Sequence, residues 1–295
     1  MSKPIGRAPA PLQVVAGALV DARGRVLITE RPAGKALAGR WEFPGGKRAL
    51  GETPRAALRR ELAEELGIEV DRAAPLLAVT YRYPAATVAV HIDCWRVDSW
   101  HGEPVALDRQ RLRWCTREEL AGADILEADR PIVTALLLPR VFVRLTASET
   151  LVEQHASAPG GRERTAWLVP APPADSGVTR RLEEHGDLVF IIDPHTPPAG
   201  GVGCLYSTAR HFEPAASRQP PAGRIVHAAG EARAARAAGA DFLVVPDGNL
   251  PRDELRAIAD VGLPWYLDMA TPVDGVEPAP TGRLQWRGDD PLARF

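Results

Sequence analysis

Apolar positions in the first 139 residues come in short runs separated by polar turns, a pattern of several strands and few helices. Residues 12–21, LQVVAGALVD, read as a buried strand. A turn at Ala22-Arg23-Gly24 leads to a second strand, RVLITER, at 25–31. LLAVTYRY at 76–83 and VAVHIDCWRV at 88–97 read as an antiparallel pair. RLRWC at 111–115 precedes a turn of helix at 117–120, and a final helix starts near Pro131 and ends before Pro139. One stretch breaks this rhythm. From Thr53 to Gly67 nearly every residue is a strong helix former. Thr53 is a suitable N-cap, Pro54 fits the first helical position, and Gly67 suits the C-cap.

After Pro139-Arg140 the rhythm changes to strands alternating with helices, which implies a parallel α/β sheet or barrel. VFVRLTAS (141–148), WLVPA (167–171), DLVFIID (187–193), GVGCLYST (201–208), RIVHAA (224–229), DFLVVPD (241–247) and LPWYLDMA (263–270) read as strands. Helices are expected through Glu184, over 231–240 and over 252–260. About six or seven units fit, fewer than an eight-unit barrel needs. The expected division is therefore a domain at 1–139 and an incomplete barrel-like (β/α) domain at 140–295.

Charge picks out the capped helix. Glu61, Glu64 and Glu65 stand at i, i+3 and i+4 and share one face, a spacing at which like charges repel. Glu52, just before the N-cap, can reach the same space. Converging carboxylates suit a hard cation such as Mg²⁺ or Mn²⁺. Arg60 can orient a glutamate or meet a phosphate with its fork of donors. Elsewhere charge is balanced: the net value is −2 over 295 residues, which gives no general attraction to nucleic acid or membrane. The three cysteines, Cys94, Cys115 and Cys204, have no CxxC spacing, as expected of free thiols in a cytoplasmic protein. No run approaches a membrane span.

Gly46, five residues, Glu52, seven residues, then Arg60-Glu61-Leu62-Ala63-Glu64-Glu65-Leu66-Gly67-Ile68 resembles the Nudix box at every fixed position. Trp41-Glu42-Phe43-Pro44-Gly45-Gly46-Lys47 before it resembles the MutT-type branch, which cleaves nucleoside triphosphates and is best known for oxidised guanine nucleotides. The resemblance spans roughly residues 10–139 and implies an αβα sandwich with a mixed sheet. It implies a divalent cation, Mg²⁺ first, held by Glu61 and Glu65 with the backbone carbonyl of Gly45 or Gly46. Glu64 or Glu52 would support that shell or act as general base. Attack on the inner phosphate bridge would yield a nucleoside monophosphate and pyrophosphate. Some relatives add a metal-binding glutamate after the fourth strand; Gln110-Arg111-Leu112-Arg113-Trp114 offers no acid there.

The same resemblance implies substrate contacts at Arg31, Phe43, Lys47 and Asp129. Arg31 matches an arginine that meets the oxidised purine, and Phe43 could stack on the base. Asp129 stands where MutT-type proteins have asparagine. An ionised aspartate only accepts hydrogen bonds, so it could read the guanine N1–H and N2–H₂ but not donate to O6 unless protonated. Asp129 is equally placed to cap the helix that begins at Pro131.

The second half is similar to thiamine phosphate synthase, most visibly in GRIVHAAGEARAARAAGADFLVV with His227. That family's paired aspartates are replaced by Asp193-Pro194-His195, and its glycine-rich phosphate loop by Asp268-Met269-Ala270-Thr271-Pro272. The resemblance therefore implies a degenerate barrel without synthase activity, with Asp193, His195 and His227 near strand ends where it could bind a small phosphorylated ligand. Three expectations follow. The first is a magnesium-dependent 8-oxo-dGTP diphosphatase. The second is the same chemistry on a thiamine-pathway or damaged diphosphate. The third is a sensing or interaction role for the second half.

Overall fold

The computed structural model describes residues 9–145, 165–170, 188–192, 203–206, 221–246, 250–268 and 282–287. The chain divides into two compact units, Met1–Val133 and Thr134–Phe295. The division falls six residues before the expected boundary at Pro139, inside the helix Arg130–Leu137 rather than after it.

The first unit holds two sheets. β1 (Leu12–Leu19) pairs antiparallel with β4 (Gly45–Lys47) and parallel with β6 (Val90–His101). β6 pairs antiparallel with β5 (Glu69–Tyr81), which gives a mixed sheet of order β4-β1-β6-β5. β5 begins seven residues before the expected strand at 76, directly after the capped helix. The early part was unreadable because register shifts at Val70, Arg72 and Pro75 break its alternation. The second sheet is antiparallel, with β2 (Val26–Glu30) between β3 (Trp41–Glu42) and β7 (Leu112–Cys115). This α/β arrangement with a mixed sheet agrees with the expected fold class.

The helix α1 runs Pro54–Leu66 as expected. Thr53 accepts from the Ala56 N–H, and Gly67 closes the helix at φ 67° in the left-handed region that glycine adopts at no steric cost. Ala57, Leu58, Leu62 and Leu66 are buried against Val15, Leu19, Leu27, Val70 and Val97. Glu61 and Glu65 flank that stripe on the side that meets β4, which leaves both carboxylates partly buried. α2 (Arg117–Ala121) carries a capping box between Thr116 and Glu119. A single 3₁₀ turn (Glu127–Asp129) leads into α3 (Arg130–Leu137).

In the second unit eight strands pair in parallel and close into a barrel. They are β8 (Val141–Leu145), β9 (Thr165–Pro170), β10 (Leu188–Ile192), β11 (Gly203–Tyr206), β12 (Ala222–Ile225), β13 (Phe242–Val245), β14 (Trp265–Asp268) and β15 (Gly282–Arg287). The strand count exceeds the six or seven units read from sequence, because the last strand, GRLQWR, has no apolar run to announce it. Phe142, Phe190, Phe242, Leu205, Val244 and Tyr266 fill one cluster. Leu243, Val245, Trp265 and Leu267 alternate with them and pack against α4 (Ala229–Ala237) and α5 (Arg252–Ala259). Gly223 leaves room for the Phe242 ring, whose atoms lie 2.3 Å from where a Cβ would stand. β12 starts two residues earlier than expected at 224. The helix expected through Glu184, together with Asp193, His195 and the 269–272 loop, lies outside the described residues. No described helix is long and apolar enough to cross a membrane.

Candidate active site

The site forms where α1 faces β4. Arg60 is its hub. Nε and Nη2 donate to Glu52 at 3.0 and 2.9 Å, and Nη1 donates to Glu61 at 2.8 Å and Glu64 at 3.1 Å. Nη2 also reaches the Lys47 carbonyl at 3.1 Å. These bonds match the five N–H donors of a guanidinium. Of the two uses open to Arg60, orientation of carboxylates is the one the geometry displays. The Arg60 bonds, with an N–H from Ala49 at 3.0 Å, hold the Glu52 carboxyl below its ordinary range. Glu52 and Glu61 in turn hold the guanidinium proton more tightly.

Two glycines bring the backbone against these acids. A Cβ on Gly46 would stand 2.3 Å from a Glu61 carboxylate oxygen, and one on Gly45 2.1 Å from the Val15 carbonyl oxygen. Gly45 also has φ 147°, a backbone that side-chain-bearing residues rarely adopt. Its N–H donates to Glu65 at 3.1 Å. Burial pushes the Glu65 carboxyl up to about 7; the Gly45 N–H opposes this, and the Glu61 and Asp108 carboxylates add to it. A half-buried carboxylate beside another, with one N–H donor, is the environment a cation would relieve.

The expected metal set is only partly gathered. Among the described residues, no three Asp, Glu, His or Cys side chains converge closely enough to cage a cation. Glu64 is 60% exposed and paired to Arg60. The residues present fit a hard cation held by one or two carboxylates, its remaining positions filled by water and phosphate oxygens, which is the usual Mg²⁺ arrangement.

Three of the predicted base contacts, Arg31, Phe43 and Asp129, gather with Glu42 in a second cluster. Arg31 Nη1 is ion-paired with Glu42, and its Nε donates to the Ala36 carbonyl at 2.7 Å. Phe43 is 4% exposed, so its ring is core, and it meets the cluster through its backbone N–H, 3.4 Å from Asp129. Asp129 is buried and accepts from the Phe43 N–H. Burial, with the Glu42 carboxylate adding, pushes its carboxyl up to about 7. Tyr83 lies near enough to feel Asp129, and burial raises its hydroxyl to about 12. The Lys47 side chain is exposed.

Sequence reading missed Glu42, Lys35 and Asp108. Glu42 was visible inside the Trp41–Lys47 motif but was given no role. Asp108, two residues before the stretch searched for an acid, lies close enough to Glu65 to raise its carboxyl. In that stretch buried Gln110 takes a different part. It accepts from the Asp108 N–H at 2.8 Å and donates to the Glu65 carbonyl at 3.1 Å. His227 is exposed, and its N–H is spent on Glu231 in the first turn of α4.

Residues 15–135 match the family model described as NUDIX domain. A Mycobacterium tuberculosis protein named as a candidate 8-oxo-dGTP diphosphatase 2 is 50% identical over 121 residues, which covers 40% of this chain and 82% of that one. The CTP pyrophosphohydrolase of Escherichia coli is 38% identical, covering 44% of this chain and 93% of its own. The 8-oxo-dGTP diphosphatase of Escherichia coli is 33% identical, covering 42% and 95%.

Proposed function

This chain belongs, through residues 15–135, to the Nudix hydrolases, enzymes that act on phosphoric anhydrides, and from that we propose that it hydrolyses 8-oxo-dGTP to the monophosphate and pyrophosphate. The observation that carries this reading is Glu61, held by Arg60, and Glu65, held by the Gly45 N–H, both against Gly45-Gly46. A Mg²⁺ or Mn²⁺ ion held by Glu61 and Glu65, assisted by a Gly45 or Gly46 carbonyl, would supply charge neutralisation at the phosphate bridge. The chain's own residues do the rest. Arg60 fixes Glu52, Glu61 and Glu64 in their rotamers. Glu52 or Glu64, whichever is nearer the attacking water, takes its proton. Gly45 aims Glu65 through its N–H. Asp129, with a carboxyl near 7, can accept from a guanine N1–H or, protonated, donate to O6.

A second reading has its own support: likeness to a CTP pyrophosphohydrolase makes a pyrimidine triphosphate the rival substrate. Comparing kcat/KM for 8-oxo-dGTP, dGTP and CTP with Mg²⁺, while detecting pyrophosphate and orthophosphate, separates the two. A preference for the oxidised purine with pyrophosphate released supports the sanitising role. A preference for CTP moves the role to pyrimidines. For the second unit we propose a TIM-barrel-like domain related to thiamine phosphate synthase, without synthase activity; the closed parallel sheet supports this. Calorimetry of the full chain with thiamine phosphate tests whether the barrel retains a ligand.

A further inference from the structure

Two loops flank the carboxylate site, one between Glu30 and Trp41 and one between His101 and Leu112. Arg111 joins the second to Glu30 where the first begins, and nearer their tips Lys35 Nζ pairs with Asp108 at 3.6 Å, both side chains more than half exposed. Each loop is held in shape nearby. Arg31 donates to Ala36 and the Gly39 N–H to the Arg31 carbonyl, while Gln110 ties the Asp108 backbone to the end of α1. Among the described residues only two non-glycine residues have left-handed backbone: Leu37 at φ 60° and Arg109 at φ 61°. One lies in each loop, within two positions of the paired side chains. Strain of that kind persists where the surroundings fix a functional conformation.

The charges around Lys35 say what it faces. Its ammonium is close enough to act on Glu65 at the cation end of the site and on Glu42 at the base end. One positive charge thus acts on a carboxylate of each cluster. Arg60 has its donors committed, and Arg31 is held by Glu42 and Ala36. An exposed pair contributes little to stability, so Asp108 can release the ammonium readily.

We propose that Lys35 is a substrate-binding residue of this chain: its ammonium, parked on Asp108 when the site is empty, transfers to the polyphosphate of the bound nucleotide. This rests on the nucleotide-hydrolase reading above. A compact, flexible point charge suits a phosphate that changes position between substrate and product.

The test uses the full chain with Lys35→Met, Lys35→Arg and Asp108→Asn. KM and kcat for 8-oxo-dGTP and dGTP are measured at two salt concentrations. Calorimetry of dGTP binding with Ca²⁺ in place of Mg²⁺ accompanies them, so binding is read even without turnover. Lys35→Met should raise KM and Kd about tenfold, leave kcat within about twofold and flatten their salt dependence, while Lys35→Arg restores most of the affinity. Asp108→Asn should tighten binding slightly, because it frees the ammonium. Unchanged KM, Kd and salt dependence in Lys35→Met would overturn the assignment. So would an equal loss in Lys35→Met and Asp108→Asn, which would make the pair a strap between loops. A raised Mg²⁺ requirement confined to Asp108→Asn would overturn it too, making the acid a cation ligand. A wild-type protein that binds dGTP through Lys35 but turns over no triphosphate would sink the proposed function and leave this inference standing.

Discussion

Arg60 shows how one side chain can set a site without touching what reacts. Its bonds reach three glutamates and a backbone carbonyl. Lysine has the charge but no planar fork, so Arg60→Lys should lower kcat about 100-fold, nearly as much as Arg60→Met. Circular dichroism should show α1 intact in both. Glu61→Gln keeps the shape and removes the charge, and should abolish pyrophosphate release while the melting temperature holds or rises. Asp129 governs pH behaviour instead. Its carboxyl is raised from the ordinary 3.8 to about 7 by burial, then by Glu42. Between those values the folded state binds more protons than the unfolded one, so stability falls as pH rises from about 4 through 7. The gap corresponds to roughly 4 kcal/mol. Melting temperature should therefore drop from pH 5 to pH 8, and Asp129→Asn should remove about half of that slope, the rest belonging to Glu65, whose carboxyl is raised over the same range.

At the scale of elements, the site depends on how closely β4 approaches α1. Gly46→Ala would drive a methyl group into Glu61 and should cost far more activity than stability. A kinetic assay beside a melting curve checks this, and equal losses in both would mean the glycine serves packing. Thr53→Ala tests the helix alone. Losing the cap bond to Ala56 should cost about 1 kcal/mol in urea unfolding while kcat changes little. The helix was legible because its signals are local: a cap residue, a proline, a run of helix formers and a glycine stop. β5 was half legible, because register shifts hide the strand's alternation exactly where it leaves the helix.

At the scale of the molecule, the two units have separate cores. One is built on Val15, Leu58, Leu62 and Val97, the other on Phe142, Phe190, Phe242 and Tyr266. Phe242→Ala should destabilise the barrel by about 3–5 kcal/mol and leave pyrophosphate release unchanged, as differential scanning calorimetry and the activity assay would show. Loss of hydrolysis in step with the barrel would mean that the units fold as one. The amino-acid sequence by itself determined α1, its caps, the spacing of Glu52, Arg60, Glu61, Glu64 and Glu65, and the change to alternating strands after Pro139, because each rests on neighbours within a few turns of chain. Only the tertiary structure decided that β15 closes the barrel onto β8, that Arg60 spends its donors on carboxylates, that Phe43 is core, and that Lys35 meets Asp108 beside Glu65. Those contacts join residues distant in the chain, and which charges face each other there is set by how the sheets bring the loops together, not by any local pattern.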